Sequence, residues 1–288
     1  VMQNTQDMIQ RLNLSGSRLS KSHRRIAEYI LQHYDKAVFM TAAKLGEMVN
    51  VSESTVVRFA VALGYEGYPE LQQALQELVR HRLTATQRFE MSSDISQEEV
   101  LSTVLKADMQ NIRSTIDGID NAAFLRAVQV ISGARRIYIL GLRSAAPLAQ
   151  FAGYYLHYIF DDVRVVAAGS TDVFEAISRI EASDVLLGIS FPRYSSRTIE
   201  AMSFARSRHA QVIGLTDGPM SPLHEVADIC LSMRTDMASF VDSMAAPMSV
   251  INALIVALGI QNREALNARF KQLEEVWDAY SVYMNEGK

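Results

Sequence analysis

The spacing of apolar positions divides the chain into three stretches. From about residue 5 to 82 they recur at helical intervals in short runs, with no strand signal. From about 83 to 130 a polar link leads into an amphipathic helix. From about 131 to 260 short apolar runs alternate with helical ones, and a C-terminal helix follows. In the first stretch Ile26, Ile30 and Leu31 share a face with Ala27 and Tyr34, and Ser20 is placed to cap that helix. A second helix starts at Thr41, sets Ala42, Leu45, Met48 and Val49 on one stripe and stops at Asn50. Ser52 then caps a third helix running through Gly64, with Glu53 in its first turn.

In the third stretch Arg135-Arg136 introduces the apolar run Ile137 to Leu140, which Gly141 breaks before a long helix to about Phe160. Val163–Ala167, Val185–Ile189, Val212–Leu215 and Ile229–Leu231 are four further strand candidates. Helices around Ile177–Ile180 and from Thr198 to His209 separate them. Near-continuous apolar strands alternating with helices predict a parallel sheet covered on both faces, with ligands beyond the carboxyl ends of its strands. Met244 to Ile260 predicts a buried helix. Leu266, Phe270, Leu273, Val276, Trp277 and Tyr280 give the last helix an apolar face for the domain or a partner. The expected fold is an all-α N-terminal domain at 1–82, a linker and connecting helix at 83–130, and an α/β domain at 131–288.

Composition refines this picture. A chain of 288 residues with 49% hydrophobic content can build two cores. The single cysteine, Cys230, excludes an intramolecular disulfide, reads as a core thiol and fits a reducing compartment, the cytoplasm. Residues 1–10 are polar and lack the apolar core of a secretory signal, and no run reaches the roughly 18 apolar residues of a membrane span. The net charge of −4 argues against nucleic acid as a partner, but it is unevenly spread. Residues 1–90 carry 11 basic against 9 acidic side chains, and residues 91–288 carry 17 against 23. A local basic face on the first stretch would suffice for DNA.

The run from Thr41 to Phe59 has the spacing of a helix-turn-helix. Ala43 and Gly46 let two helices approach, Val51 plugs the corner, and Val56 and Val57 hold the second helix to the core. Lys44, Ser52, Glu53, Ser54, Thr55 and Arg58 are the candidate DNA contacts, because residues at the start of the second helix face base edges in the major groove. Lys21, His23, Arg24 and Arg25 form either a solvated face or phosphate contacts. The competing reading of the whole stretch is an ordinary three-helix bundle.

The runs Ser20-Lys-Ser-His-Arg-Arg-Ile-Ala-Glu-Tyr-Ile, Val51-Ser-Glu-Ser-Thr-Val-Val-Arg-Phe and Leu63-Gly-Tyr-Glu-Gly-Tyr-Pro-Glu-Leu resemble the RpiR (MurR/RpiR) family of bacterial regulators. The resemblance continues through the α/β stretch. It implies a winged-helix-like DNA-binding domain, a C-terminal sugar isomerase (SIS) domain used as a phosphosugar sensor, and a homodimer or homotetramer acting on a double-stranded operator.

Two loops carry anion chemistry. Gly141-Leu-Arg143-Ser144 joins a strand to a helix and offers backbone N–H groups at a helix start. Ser190-Phe-Pro-Arg193-Tyr-Ser195-Ser196-Arg-Thr198 adds hydroxyls and charge from Arg193 and Arg197. The candidate effector contacts are therefore Gly141, Arg143, Ser144, Ser190, Arg193, Ser195, Ser196 and Thr198; the alternative for the second loop is a surface loop capped by Ser195 or Ser196. SIS domains resemble this layout, but their second loop is a short Ser-x-Ser-Gly-x-Thr run. The bulkier, more basic loop here leaves a sugar phosphate, a sugar acid or another carboxylated metabolite as the ligand.

No enzyme is expected. Glu175, His157, Glu200 and His224 form no acid/base pattern, and His157 reads as a packed helix residue. No metal-ligand spacing and no Gly-rich loop followed by Lys occur, so neither metal nor cofactor is expected. The alternatives are a sugar-phosphate isomerase with an accessory N-terminal domain and a protein-interaction adaptor that does not touch DNA.

Overall fold

The structure, a computed structural model, describes residues 20–38, 40–79, 84–90, 95–167, 172–237 and 240–283. Residues 1–19 and 80–83, with the expected domain boundary, lie outside the described residues, as does the side chain of Tyr34. The chain divides into two units, Val1–Val100 with Ser239–Val241 and Leu101–Ala238 with Asp242–Lys288.

The first unit is built on α1 (Lys21–Gln32), α2 (Ala42–Met48), α3 (Glu53–Ala62) and α4 (Tyr68–Val79). A hydroxyl caps each of the first three: Ser20 accepts from His23 N–H, Thr41 from Lys44 N–H and Ser52 from Thr55 N–H. Each bond satisfies one donor that a helix start leaves unpaired. Ile26, Ile30, Leu45, Val56, Phe59 and Leu71 form the shared core.

The corner between α2 and α3 is a backbone device. Asn50 is left-handed (φ 53°), its N–H donates to Glu47 O, and Val51 N–H donates to Gly46 O at 2.8 Å. This is the paired pattern that closes a helix C-terminus. A Cβ on Gly46 would lie 2.8 Å from Val51 O, so only glycine fits against the corner. Ala43 and Met48, expected inside, are exposed, because Ala42, Leu45 and Val49 already fill the inward stripe. The third helix ends at Ala62 rather than Gly64: Gly64 turns left-handed (φ 93°) and Tyr65 N–H reaches back to Ala60 O. Among the described residues this unit has no strand, so the wing implied by the resemblance is not found. α4 follows instead, and Tyr68 donates to Met40 O at 2.7 Å while burial pushes its phenol up to about 12.

The second unit begins with α5 (Val100–Gly118) and α6 (Asn121–Ser132). β1 (Ile137–Gly141), α7 (Ala146–Ile159), β2 (Val163–Val166), α8 (Val173–Ile177), β3 (Val185–Ile189), α9 (Ser196–Ser207), β4 (Gln211–Thr216) and β5 (Ile229–Ser232) follow, and α10 (Ala245–Gln261) and α11 (Arg263–Ala279) end it. The five strands are parallel in the order β2-β1-β3-β4-β5. Alternate side chains feed two cores. Ile139, Leu187 and Ile213 pack under α6, α7 and α10, whereas Tyr138, Leu186 and Val212 pack under α9. The α/β expectation is met, with each strand within a residue or two of its predicted ends.

One helix expectation is corrected. α10 buries Val250, Ile251, Leu254 and Leu258 but leaves Val256 and Ile260 exposed, because only one of its faces packs on α6 and α7. α11 buries no residue fully, but it sets its apolar face on the domain as expected, with the rings of Phe270 and Trp277 edge-on to Tyr158 of α7. No single described helix is long and apolar enough to cross a membrane.

Gly46→Val should destabilise the first unit by about 2 kcal/mol through overpacking at the corner. Its thermal transition should fall while that of the α/β unit stays in place. His23 packs edge-on against Phe59 at 5.7 Å, and burial, helped by the charge of Arg58, holds its imidazole below the ordinary 6.5. The folded state therefore disfavours protonation, so stability present above pH 6.5 is lost as pH falls below it. Denaturant midpoints measured between pH 7.5 and 5 should drop more steeply for the wild type than for His23→Phe.

Candidate functional site

The outer surface of the first unit is set by α3. Residues about 100° apart on a helix cannot share a line, so with Val56, Phe59 and Ala60 inside, Ser54, Val57, Arg58 and Val61 form the opposite face. Val57, expected to hold the helix to the core, is instead 38% exposed. Ser52, Glu53 and Ser54 stand exposed at the helix start. Thr55 is half-buried, with its Oγ1 2.8 Å from Ser52 Oγ. Arg58 lies back along its own helix, Nε donating to Ser54 O at 3.3 Å and Nη2 to Thr55 Oγ1 at 3.4 Å. Both bonds are long, so the guanidinium can swing outward. Lys44 on α2 pairs with Glu47 at 2.9 Å with both side chains more than half exposed, a pair worth under about 1 kcal/mol. The contact of His23 with Phe59 brings the first turn of α1 beside α3, and Lys21, Arg24 and Arg25 are exposed around it.

In the second unit the strand order reverses between β1 and β3. β1 leads outward to β2, whereas β3 lies on its other side and leads to β4 and β5. Gly141 and Ile189 are paired at the ends of these two strands, so the loops that follow diverge from one point and leave a crevice between them. A Cβ on Gly141 would lie 2.6 Å from Ala145 O, so glycine lets the start of α7 close onto the strand end. No side chain caps α7 or the short turn Arg143–Ala145 before it. Arg143 and Ser144 are both exposed there.

The second loop divides its predicted residues by task. Ser190 is buried; its Oγ accepts from Ser195 N–H at 3.2 Å. Ser195 caps α9 by accepting from Thr198 N–H. These two hydroxyls shape the loop. Ser196 is exposed, whereas Thr198 is fully buried and its Oγ1 has no hydrogen-bond partner. Arg193 is exposed and left-handed (φ 67°), as is Arg143 (φ 56°). Arg197 does not join them: it pairs with Asp172 at 3.6 Å and lies over the Phe174 ring, drawn to the capped start of α8.

Sequence reasoning missed a brace behind this loop. Tyr194 donates to Asp217 Oδ1 at 2.7 Å, tying the loop after β3 to the end of β4. Thr216 Oγ1 adds contacts of 3.2 Å to Asp217 and 2.6 Å to Ser221. No local pattern marks a contact spanning 23 residues. Exposure of Val57 could have been found from helical spacing alone.

Glu175, Glu200, His157 and His224 are all exposed. His157, expected to be packed, meets Gly153 O of its own helix at 2.6 Å, and His224 lies 3.4 Å from Ser232 Oγ. Among the described residues no group of His, Cys, Asp and Glu is arranged to hold a metal. Cys230 is half-buried on β5, and burial pushes its thiol up to about 11.

Residues 6–81 match the helix-turn-helix domain of the rpiR family, and residues 130–257 match the SIS domain. The HTH-type transcriptional regulator HexR of Escherichia coli is 26% identical over 275 residues, covering 93% of each chain. HexR of Pseudomonas aeruginosa is 26% identical over 276 residues, covering 93% of this chain and 95% of that one. Among solved structures, the RpiR sugar isomerase domain of Sphaerobacter thermophilus is similar with a TM-score of 0.59 at 23% identity, over 62% of this chain and 99% of that one. The Vibrio vulnificus NanR protein complexed with ManNAc-6P is similar with a TM-score of 0.58 at 21% identity, over 96% and 100%. With a family-specific helix-turn-helix followed by a SIS domain, and HTH-type regulators similar over nearly the whole length, the chain belongs to the RpiR family of transcriptional regulators.

Proposed function

We propose that this regulator binds an operator through α2 and α3 and controls carbohydrate-metabolism genes in response to a phosphorylated sugar or sugar acid. The effector lies between the loops after β1 and β3, with Gly141, Arg143, Ser144, Ser190, Arg193, Ser195, Ser196 and Thr198 around it. One observation carries the reading. Two exposed arginines, neither with an ion pair among the described residues, flank a crevice at the sheet's switch point beside a helix start without a side-chain cap. Backbone N–H groups there suit a phosphate, and the arginines suit a second anionic oxygen or a carboxylate. The similarly folded NanR is complexed with ManNAc-6P, a ligand of this class. Lys44, Ser52, Glu53, Ser54, Thr55 and Arg58 supply the operator contacts. Control follows when effector and operator prefer different arrangements of the assembly.

A homodimer or homotetramer suits this role, because two recognition helices are needed for a palindromic site. The exposed Tyr154, Val256, Ile260 and Phe270, beside a groove of about 400 Å³ lined by α7, α10 and α11, are apolar surface for such an assembly. The isomerase reading would need an acid and a base among Glu175, Glu200, His157 and His224, all of which are exposed; turnover of aldose and ketose phosphates by the purified protein would revive it.

Anisotropy titrations on the DNA upstream of its own gene test the operator half, and a thermal-shift series of phosphorylated sugars and sugar acids tests the other. Arg58→Ala should weaken operator binding by about 1–3 kcal/mol and leave effector binding unchanged. Arg193→Ala should weaken effector binding by about 1.5–3 kcal/mol and leave operator affinity without effector unchanged. A protein that binds DNA without sequence selectivity, or a double variant Arg143→Ala/Arg193→Ala that binds effector normally, overturns the corresponding half. Light scattering at micromolar concentration should give at least twice the monomer mass of 32.1 kDa.

A further inference from the structure

The outward face of α3 holds something the helix-turn-helix reading does not use. Beside Ser54 and Arg58 stand two β-branched apolar side chains, Val57 at 38% and Val61 at 54% exposure. They are one turn apart on a line opposite Val56, Phe59 and Ala60, so no rotation of this helix buries both sets. On a ten-residue helix the exposed β-branched residues add nothing to the core and have lower helix propensity than alanine. Cations stand at one edge of the stripe: Arg58 is the next residue after Val57, and Lys21, Arg24 and Arg25 are exposed on the first turn of α1, which His23 docks against Phe59. An apolar stripe bordered by arginines and by hydroxyls at a helix start is chemically mixed in the same way as the major groove. There thymine methyls stand beside acceptor edges and phosphates.

We propose that Val57 is a specificity-determining residue that packs its methyl groups against the 5-methyl group of one thymine in each operator half-site. Ser54 precedes it by one turn, at the helix start, and Arg58 adjoins it. One apolar contact therefore sits between a hydroxyl that can meet phosphate and a guanidinium that can take a guanine edge. Val61, one turn further from the helix start, extends the same stripe. The inference rests on the operator-binding role of α3, and its test separates the two.

The full-length protein is first used to select its half-site from random duplexes. Each thymine of that site is then replaced singly by deoxyuridine, which removes the methyl group and keeps every hydrogen bond. Affinity is read by anisotropy at fixed salt. At one thymine per half-site the replacement should weaken the wild type about fourfold, the effect of one buried methyl group. Val57→Ser should bind the thymine and uracil duplexes equally, and Val57→Thr, which keeps one methyl, should fall between. The serine variant's thermal transition should match the wild type, since the side chain is outside the core. The inference is overturned if selective binding is present but the wild type tolerates uracil everywhere, or if Val57→Ser keeps the same uracil penalty. Absence of any selective binding overturns the operator role of α3 as well.

Discussion

A helix that starts after a turn or a strand arrives with backbone N–H groups that its own carbonyls cannot reach, and both halves of this molecule are organised around where those donors go. In the first unit the answer is local. Ser20, Thr41 and Ser52 each turn a hydroxyl onto the third N–H of the helix that follows. The caps fix the start of α3 as a rigid platform, so the residues presented on its outer face keep their positions without support from a partner. In the second unit the answers differ between neighbours. α9 is closed by Ser195, whereas α7 starts through a tight turn with no side-chain cap, directly above Gly141. The start of α7 lies just past the end of β1, where the strand order reverses toward β3.

Within the loop after β3, some residues hold the backbone while others stay exposed. Ser190 and Ser195 bind each other's segment and the helix start, and Tyr194 is braced on Asp217. What they leave exposed are Arg193 and Ser196 on one side of the crevice and Arg143 and Ser144 on the other. Arg197 is withdrawn to Asp172 and Phe174, which ties the start of α9 to the start of α8. A loop longer and more basic than a short Ser-x-Ser-Gly-x-Thr run is thus held by its bulky residues.

Local rules carried most of the fold. Hydroxyl caps, five apolar strand runs and the glycine at the helix-turn-helix corner are all encoded within a few residues, and each lies where the sequence places it. What escaped was decided by direction or by distant partners. Val57 and Met48 are apolar neighbours of core residues, yet adjacent helix positions point about 100° apart. Capping by Ser195 is one of the readings the loop offers, but composition could not say that Ser190 would accept from Ser195 N–H, nor that Arg197 would find Asp172. The exposed side of α10 followed from its packing: its residues are apolar on all sides, but only one face lies against α6 and α7.

Backbone strain adds an independent argument about the crevice. Five described non-glycine residues are left-handed: Asn50, Arg143, Arg193, His209 and Ser281. Three of them end helices. Asn50, His209 and Ser281 donate to Glu47, Arg206 and Asp278, and the residues after them reach back to Gly46, Ala205 and Trp277, so the conformation completes a hydrogen-bonded cap. Arg143 and Arg193 end no helix. Each sits between a central strand and the next helix, in a conformation that costs a non-glycine residue about 1–2 kcal/mol. Glycine would adopt the same backbone without that cost, but it would bring no guanidinium. Among the described residues, the backbone cost that no helix cap explains thus falls in the two loops that follow the paired ends of β1 and β3.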